Sequence, residues 1–461
     1  MQIITGLFGH SRITTVTGYL LLVIVATACG ASAPSGTEPE SSTLEGGDTS
    51  AHTSGTSIPG SETPTTSAAV RFSEGREGEL DLIAYSDDEG RVFLTGPKGI
   101  SPSRIDPGDG FFSWPVWSPA GDRIVFSGTS LDSGEPAALY SYRQGEESPR
   151  VAFRNEPGTG AILPSMTHYP LWSPDGSRLA LVVSRQEQLA MYLLHTDNPG
   201  SAEKVLERAP LYTSWSGDSR YLVVHGEEEH FVVDTEGEKL VTALEDRDAQ
   251  YRAPAWWPSG DRYTLVAPNG DGGRDLVIEE AISNKRTTLG SVESGVAFLW
   301  SPDGSTLALA RSRISVGGIY ETIEFFRADG TSVGSVIDDT LIAFYWSPDS
   351  SKLAYVTLTD QAGVFRWQVL DMEDGNVQFV TEFKPSGAQI TLFQFFDQFS
   401  YSHQVWSPGS DALVFAGRPV GGVISDVTGL FLGSQIIVAS LDQTPSIRPI
   451  ASGEMGFWSP R

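Results

Sequence analysis

Two histidines stand across a short hairpin in His225-Gly-Glu-Glu-Glu-His230, and paired imidazoles are how a transition-metal site begins. No third ligand accompanies them, so the stretch reads as a solvated turn. Gln389 to Gln404 (QITLFQFFDQFSYSHQ) is denser in chemistry. Phe393, Phe395, Phe396, Phe399 and Tyr401 fall within nine residues, and His403 follows. Rings at this density can form a recognition surface for an apolar partner. They can equally pack between strands as a satellite core. Pro164-Ser-Met-Thr-His168-Tyr169 occupies an equivalent link ahead of Trp172 and could join the same surface. The candidate ligand-binding residues are therefore His168, Tyr169, Phe395, Phe396, Phe399, Tyr401 and His403.

Catalytic signatures are missing from the chain. There is no Gly-x-Ser-x-Gly elbow, no His-Glu-x-x-His and no phosphate-cradling glycine loop. Asn269-Gly-Asp-Gly-Gly-Arg-Asp275 lacks the ligand spacing and closing Glu of a calcium loop and reads as a hairpin turn. No cofactor or metal is expected. Paired carboxylates for glycan chemistry stay open, because distant Asp and Glu converge only in the fold. Lys plus Arg number 31 against 58 Asp plus Glu, a formal charge of −27, with no basic cluster to track a phosphate backbone. Nucleic acid is thereby excluded as an expected partner, and the acidity reads as a soluble, self-repelling surface.

What must position these residues is a repeat. Trp300-Ser-Pro-Asp-Gly304 precedes the apolar run Leu307-Ala-Leu-Ala310, and the same pattern begins at Trp117, Trp172 and Trp346. Looser copies begin at Trp215, Trp256 and Trp406, and the chain reaches Trp458-Ser-Pro-Arg461 at its end. In each copy an aromatic ends one strand, Pro presets φ, Asp tolerates the next turn position and Gly accepts positive φ. An alternating apolar run then opens the next strand. Asp175, Asp303 and Asp349 are accordingly structural. Successive copies lie 41 to 60 residues apart. Several short strands per period of that length predict a β-propeller.

The repeat resembles the TolB-type propeller, a WD-repeat-like family with a Trp-Ser-Pro-Asp-Gly turn before a Leu-Ala-Phe-like strand. The resemblance covers nearly all of 80–461. It implies a periplasmic or cell-surface propeller that binds proteins or peptides, although such propellers also occur as domains of peptidases. The hairpin Leu80–Thr95 lacks a preceding Trp-Ser-Pro, and Met455–Pro460 lacks a following hairpin. Joined, they make one repeat. The expectation is an all-β, eight-bladed propeller closed by pairing the C-terminal strand with the N-terminal blade, or seven blades if the Trp215 copy merges with a neighbour. All motif turns would then share one face. The long connections 127–138, 153–171, 311–321, 384–405 and 416–434 would lie on the other, where ligand contacts are expected.

The first 28 residues read as an export signal: Arg12 without acidic side chains, then the apolar stretch Thr15 to Ala28. That stretch is shorter than the roughly 20 residues of a membrane span. Ala26-Thr27-Ala28-Cys29-Gly30 resembles a bacterial lipobox, with Ala26 where Leu is usual, and the resemblance implies lipidation at Cys29. Residues 29–70 are rich in Ser, Thr, Gly and Pro and form an expected flexible tether; residues 71–461 form the propeller. The reading is a monomeric, lipid-anchored envelope protein facing the periplasm or cell exterior. Its partner is an envelope protein or peptide. The alternative is a propeller hydrolase or lyase acting on glycans or peptides, with carboxylates at the channel mouth.

Overall fold

The structure is a computed structural model. It describes residues 81–129, 137–155, 169–185, 188–198, 200–227, 229–236, 239–245, 253–258, 260–281, 283, 285–293, 295–312, 318–420, 433–442 and 445–461. The expected signal, Cys29, the tether and His168 lie outside the described residues.

Each repeat folds as the period-two apolar pattern dictates, into short antiparallel strands joined in sequence. Phe111–Trp117, Arg123–Thr129, Ala138–Arg143 and Arg150–Arg154 make one four-stranded sheet. Similar sheets run from Tyr169–Trp172 to Glu203–Arg208, from Leu211–Trp215 to Lys239–Glu245, and from Ala255–Trp256 to Arg286–Ser291. Such consecutive four-stranded meanders are the blades of a β-propeller.

Val296–Trp300 begins a continuous ten-stranded sheet that ends at Ser446–Ser452. Within it, the 15-residue strand Ser332–Trp346 pairs with Tyr320–Arg327 through its first part and with Lys352–Leu358 through its last. Trp406 meets the next strand only through an isolated bridge to Leu413.

The termini meet in one sheet. Met455–Trp458 pairs antiparallel with Ile83–Ser86, placing Trp458 opposite Ile83 and Met455 opposite Ser86. The order continues through Val92–Thr95 to Ser103–Arg104. Apolar residues from neighbouring sheets interdigitate as the core: Ile83 and Tyr85 pack with Val414, Ile436 and Trp458, while Ala84 and Val92 pack with Phe112 and Phe126.

Among the described residues, two short helices interrupt the all-β expectation. Gly387–Gln394 and Phe396–Phe399 lie in the link ahead of Trp406. The first is set by its N-cap: Ser386 Oγ accepts from Gln389 N at 3.0 Å.

Candidate functional site

Three of the motif turns are built alike. Ser301 Oγ donates to Asp303 Oδ1 at 2.6 Å and accepts from Thr306 N at 3.0 Å, while Asp303 Oδ1 accepts from Ser305 N at 2.9 Å. Ser173–Asp175 and Ser347–Asp349 repeat the pair. Burial pushes the Asp175 carboxyl upward, but hydrogen bonds from Ser173 and from the Ser177 backbone and hydroxyl outweigh it and hold it below its ordinary value. These carboxylates are occupied in their turns and lie outside the axial cavity described below.

The motif tryptophans link neighbouring repeats. Trp406 Nε1 donates to the Tyr345 carbonyl at 3.0 Å, Trp346 Nε1 to Leu299 at 3.1 Å and Trp215 Nε1 to Leu171 at 3.2 Å. Each acceptor directly precedes the tryptophan of the preceding repeat. Trp300 uses Thr264 Oγ1 instead, and Trp256 bonds its own turn at Gly260. Trp172 and Trp458 are buried but their Nε1 atoms have no partner.

Held by this frame, the link 386–405 crosses the axis and touches successive inner strands. Gln398 clamps one of them, accepting from Thr213 N at 3.0 Å and donating to Thr213 O at 3.1 Å. Tyr169 OH donates to the Gln398 carbonyl at 2.8 Å. Asp397 accepts from Ala253 N at 3.4 Å. Phe396 packs against Tyr320, Phe344 and Tyr345, and Phe393 against Phe365, Trp367 and Phe383. Tyr169, Thr213 and Ala253 lie in or just ahead of inner strands, upstream of their tryptophans. The link therefore plugs the end of the axis opposite the motif turns.

The structure thus brings Tyr169, Phe395, Phe396, Phe399, Tyr401 and His403 together, but as a plug. Tyr169, Phe396, Phe399 and His403 are buried, and Phe395 and Tyr401 half-buried. The expectation that all six present an open aromatic surface is corrected here. Their apolar area is satisfied by one another and by the inner strands. The His225–His230 turn is corrected too. Both rings are buried and stacked at 4.7 Å, because their cross-strand register places them on the core side. Asn269 does form the expected hairpin turn, its Oδ1 accepting from Asp271 N and Gly273 N.

Sequence reasoning missed Trp114, Gln398 and Ser402. Trp114 sits at φ 56° where the strand register shifts, and its ring stacks on Phe399 at 5.0 Å. A bulge that re-aims a side chain leaves no periodic signature. The helices did leave one: Ser386-x-x-Gln389 is the Ser-x-x-Gln signature of a helix start.

At the motif-turn end of the axis lies a cavity of about 240 Å³. Pro258, Pro302, Pro348, Pro408 and Pro460 of five turns rim it, and Ser400, Tyr401, His403 and Tyr345 are among its lining residues. No Asp, Glu, Lys or Arg lines it. His403 is fixed from one side: its Nδ1 lies 2.7 Å from Ser402 Oγ, whose hydroxyl reaches Tyr169 OH at 3.1 Å and the Phe399 carbonyl at 3.3 Å. Burial pushes its pKa down to about 3, against a smaller upward pull from the Phe399 carbonyl, so the ring is neutral.

No protein-family model matches the chain, and no curated protein is similar to it. Solved structures are. A eukaryotic initiation factor is similar at 12% identity and TM-score 0.50, over 83% of this chain and 99% of that one. The β-propeller domain of the Trilobed protease from Pyrococcus furiosus is similar at 14% identity and TM-score 0.46, over 74% and 97%. TolB from Acinetobacter baumannii is similar at 16% identity and TM-score 0.36, over 76% and 82%. At these identities the likeness concerns the fold alone.

Proposed function

We propose that this chain is an exported, lipid-anchored cell-envelope protein whose propeller is a protein- or peptide-binding module. Eight blades follow if the ten-stranded sheet is divided within Ser332–Trp346 and again ahead of Trp406 and added to the five four-stranded sheets. Pairing of Met455–Trp458 with Ile83–Ser86 closes that ring.

The observation that carries the binding reading is the plug. An enzyme of the glycan-cleaving kind needs two carboxylates at an open cleft. Here the link fills the axis at the end where the long connections emerge, and Asp397 is its one carboxylate, buried and engaged with Ala253. Ile390, Thr391, Gln394 and Phe395 remain half-exposed on it, an uncharged platform over a rigid ring. A partner docking there would meet one aromatic anchor and a polar surround, the usual anatomy of a binding hot spot.

Immobilised full-length protein, exposed to envelope extract of its own organism, tests this reading. Retention of a protein or peptide by the wild type and its loss from Phe395→Ala are expected. Recovery of a cleaved glycan or peptide would favour the enzyme reading instead. Release of Cys29→Ser from the membrane fraction is expected of the lipid anchor; a membrane-retained mutant would contradict it.

A further inference from the structure

We propose that the axial cavity at the motif-turn end is a docking site for this chain's own N-terminal segment 68–72 (AAVRF), with Phe72 as the side chain that enters it. This site is separate from the partner platform and lies at the other end of the axis.

The wall of the cavity calls for an apolar occupant. Five prolines rim it, and no charged residue lines it. Trp346 and Trp406 donate their Nε1 hydrogens to the Leu299 and Tyr345 carbonyls, so what these rings can offer an occupant is hydrocarbon. Ser400 Oγ, Tyr345 OH, Tyr401 OH and His403 Nε2 lie buried behind the wall, out of an occupant's reach. A concavity of this kind gains from any hydrocarbon group that displaces water from it. At about 240 Å³ it lies below the roughly 300 Å³ at which drug-sized pockets begin, which suits a single side chain.

The chain carries such a side chain close by. Ser459 N donates to the Leu82 carbonyl at 2.7 Å, and Pro460, the next residue, rims the cavity. The chain upstream of Asp81 therefore departs beside the mouth. Phe72 precedes Asp81 by nine residues. Nine residues reach about 30 Å when extended and span about 17 Å on average, ample for a site next to the point of departure. Composition singles this segment out. Between residues 29 and 80, Phe72 is the only Phe, Tyr or Trp, and Arg71 and Arg76 are the only cations. Residues 63–73 hold no Asp or Glu.

Charge and linkage favour the same placement. Residues 1–80 hold 8 of the 58 acidic and 3 of the 31 basic side chains, so 81–461 carries 50 against 28. A stretch with one positive charge approaches that acidic body without the repulsion its acidic neighbours meet. One buried aromatic side chain holds a free molecule more weakly than about 1 mM. The nine-residue link instead presents Phe72 at an effective concentration of about millimolar order, at any dilution of the protein. Resting on the lipid-anchor reading above, docking turns the motif-turn face toward the membrane and the partner platform away from it.

The test places the photo-reactive residue p-benzoylphenylalanine at position 72 of the full-length protein, with illumination and peptide mapping by mass spectrometry. Cross-links within one chain, from residue 72 to the rim at Pro302, Pro348, Pro408 or Pro460, are expected. Pro302→Arg and Pro348→Arg each put a charge on the apolar rim and should each lower the yield fivefold or more. The same probe at Ser54 should give no rim cross-links. Cross-links from residue 72 only to other parts of the chain, or none at all, would overturn the proposal. A dimer as the main product would overturn it in favour of a second copy. A yield that both rim substitutions leave unchanged would also overturn it, since the probe would then react without entering the cavity. The probe lies outside the propeller strands, so mapping on the unsubstituted propeller decides the matter even where a rim variant fails to fold. Neither lipidation of Cys29 nor capture of a partner enters these readouts, so this proposal and the proposed function fail separately.

Discussion

The Trp117 indole Nε1 donates to the Phe457 carbonyl at 3.2 Å, joining residues 340 positions apart. This is the inter-repeat link that Trp215, Trp346 and Trp406 also make, formed here across the seam between the chain's two ends. Seam and interior junctions therefore share one device. Trp117→Phe keeps most of the buried ring and removes the indole donor from the Phe457 carbonyl, which stays paired with Ala84 in the ladder, so a loss of about 1 kcal/mol is expected. Urea unfolding should show a lower midpoint with an unchanged slope; an unchanged midpoint would mean the bond contributes nothing.

A second device couples the turns themselves. Ser350 occupies φ 63°, where Gly304 and Gly176 stand in other copies, and its Oγ accepts from Asp303 N of the preceding turn at 3.0 Å. Ser219 does the same for Asp175. A left-handed serine is strained by about 1–2 kcal/mol, and the inter-turn bond offsets part of that. Ser350→Ala should destabilise by about 1 kcal/mol, since it keeps the strain and loses the bond. Ser350→Gly should be close to neutral. Equal effects of the two would contradict the assignment.

The plug is held by Gln398. Replacing it with Leu leaves Thr213 N–H and C=O, both paired with its amide, without those partners in a buried place. A loss of about 2 kcal/mol or more is expected in denaturant unfolding. Stability equal to wild type would show that the link is not clamped to that strand.

Acid should weaken the fold well before its carboxylates titrate. Burial, then the neighbouring His225 and Arg286, push His230 down to about 3; burial does the same to His403. An unfolded histidine binds its proton near 6.5. Between about 6.5 and 3 the unfolded chain therefore holds more protons, so stability is full above 6.5 and falls as pH drops, by up to about 1.4 kcal/mol per pH unit for each such ring. His230→Gln should flatten the dependence of melting temperature on pH from 6.5 to 4.5. An undiminished slope would mean that His230 is not held neutral.

The repeat was legible because each feature of it has a local cause. Tryptophan, serine, proline, aspartate and the positive-φ residue sit within five positions, and a turn is a local object. Pairing of Met455–Trp458 with Ile83–Ser86 was legible from the incompleteness of both ends. Burial of Phe396, Phe399 and His403 was not, because an aromatic run has the same composition whether it faces solvent or the axis. Partners distant in sequence decide the matter: Tyr320 and Phe344 for Phe396, Trp114 for Phe399 and Phe457 for His403. His225 and His230 were misread for a related reason: a hairpin places both on one side of its sheet, and residue type does not say which side is covered.

Removal of Met455–Arg461 tests ring closure most directly. The deletion strips Ile83–Ser86 of its inner partner and Trp117 of its acceptor at once. Loss of a single cooperative unfolding transition is expected, with early exchange of the amides of Ile83–Ser86. A truncated chain that unfolds in one transition with the wild-type midpoint and slope would contradict closure of the ring by its two ends.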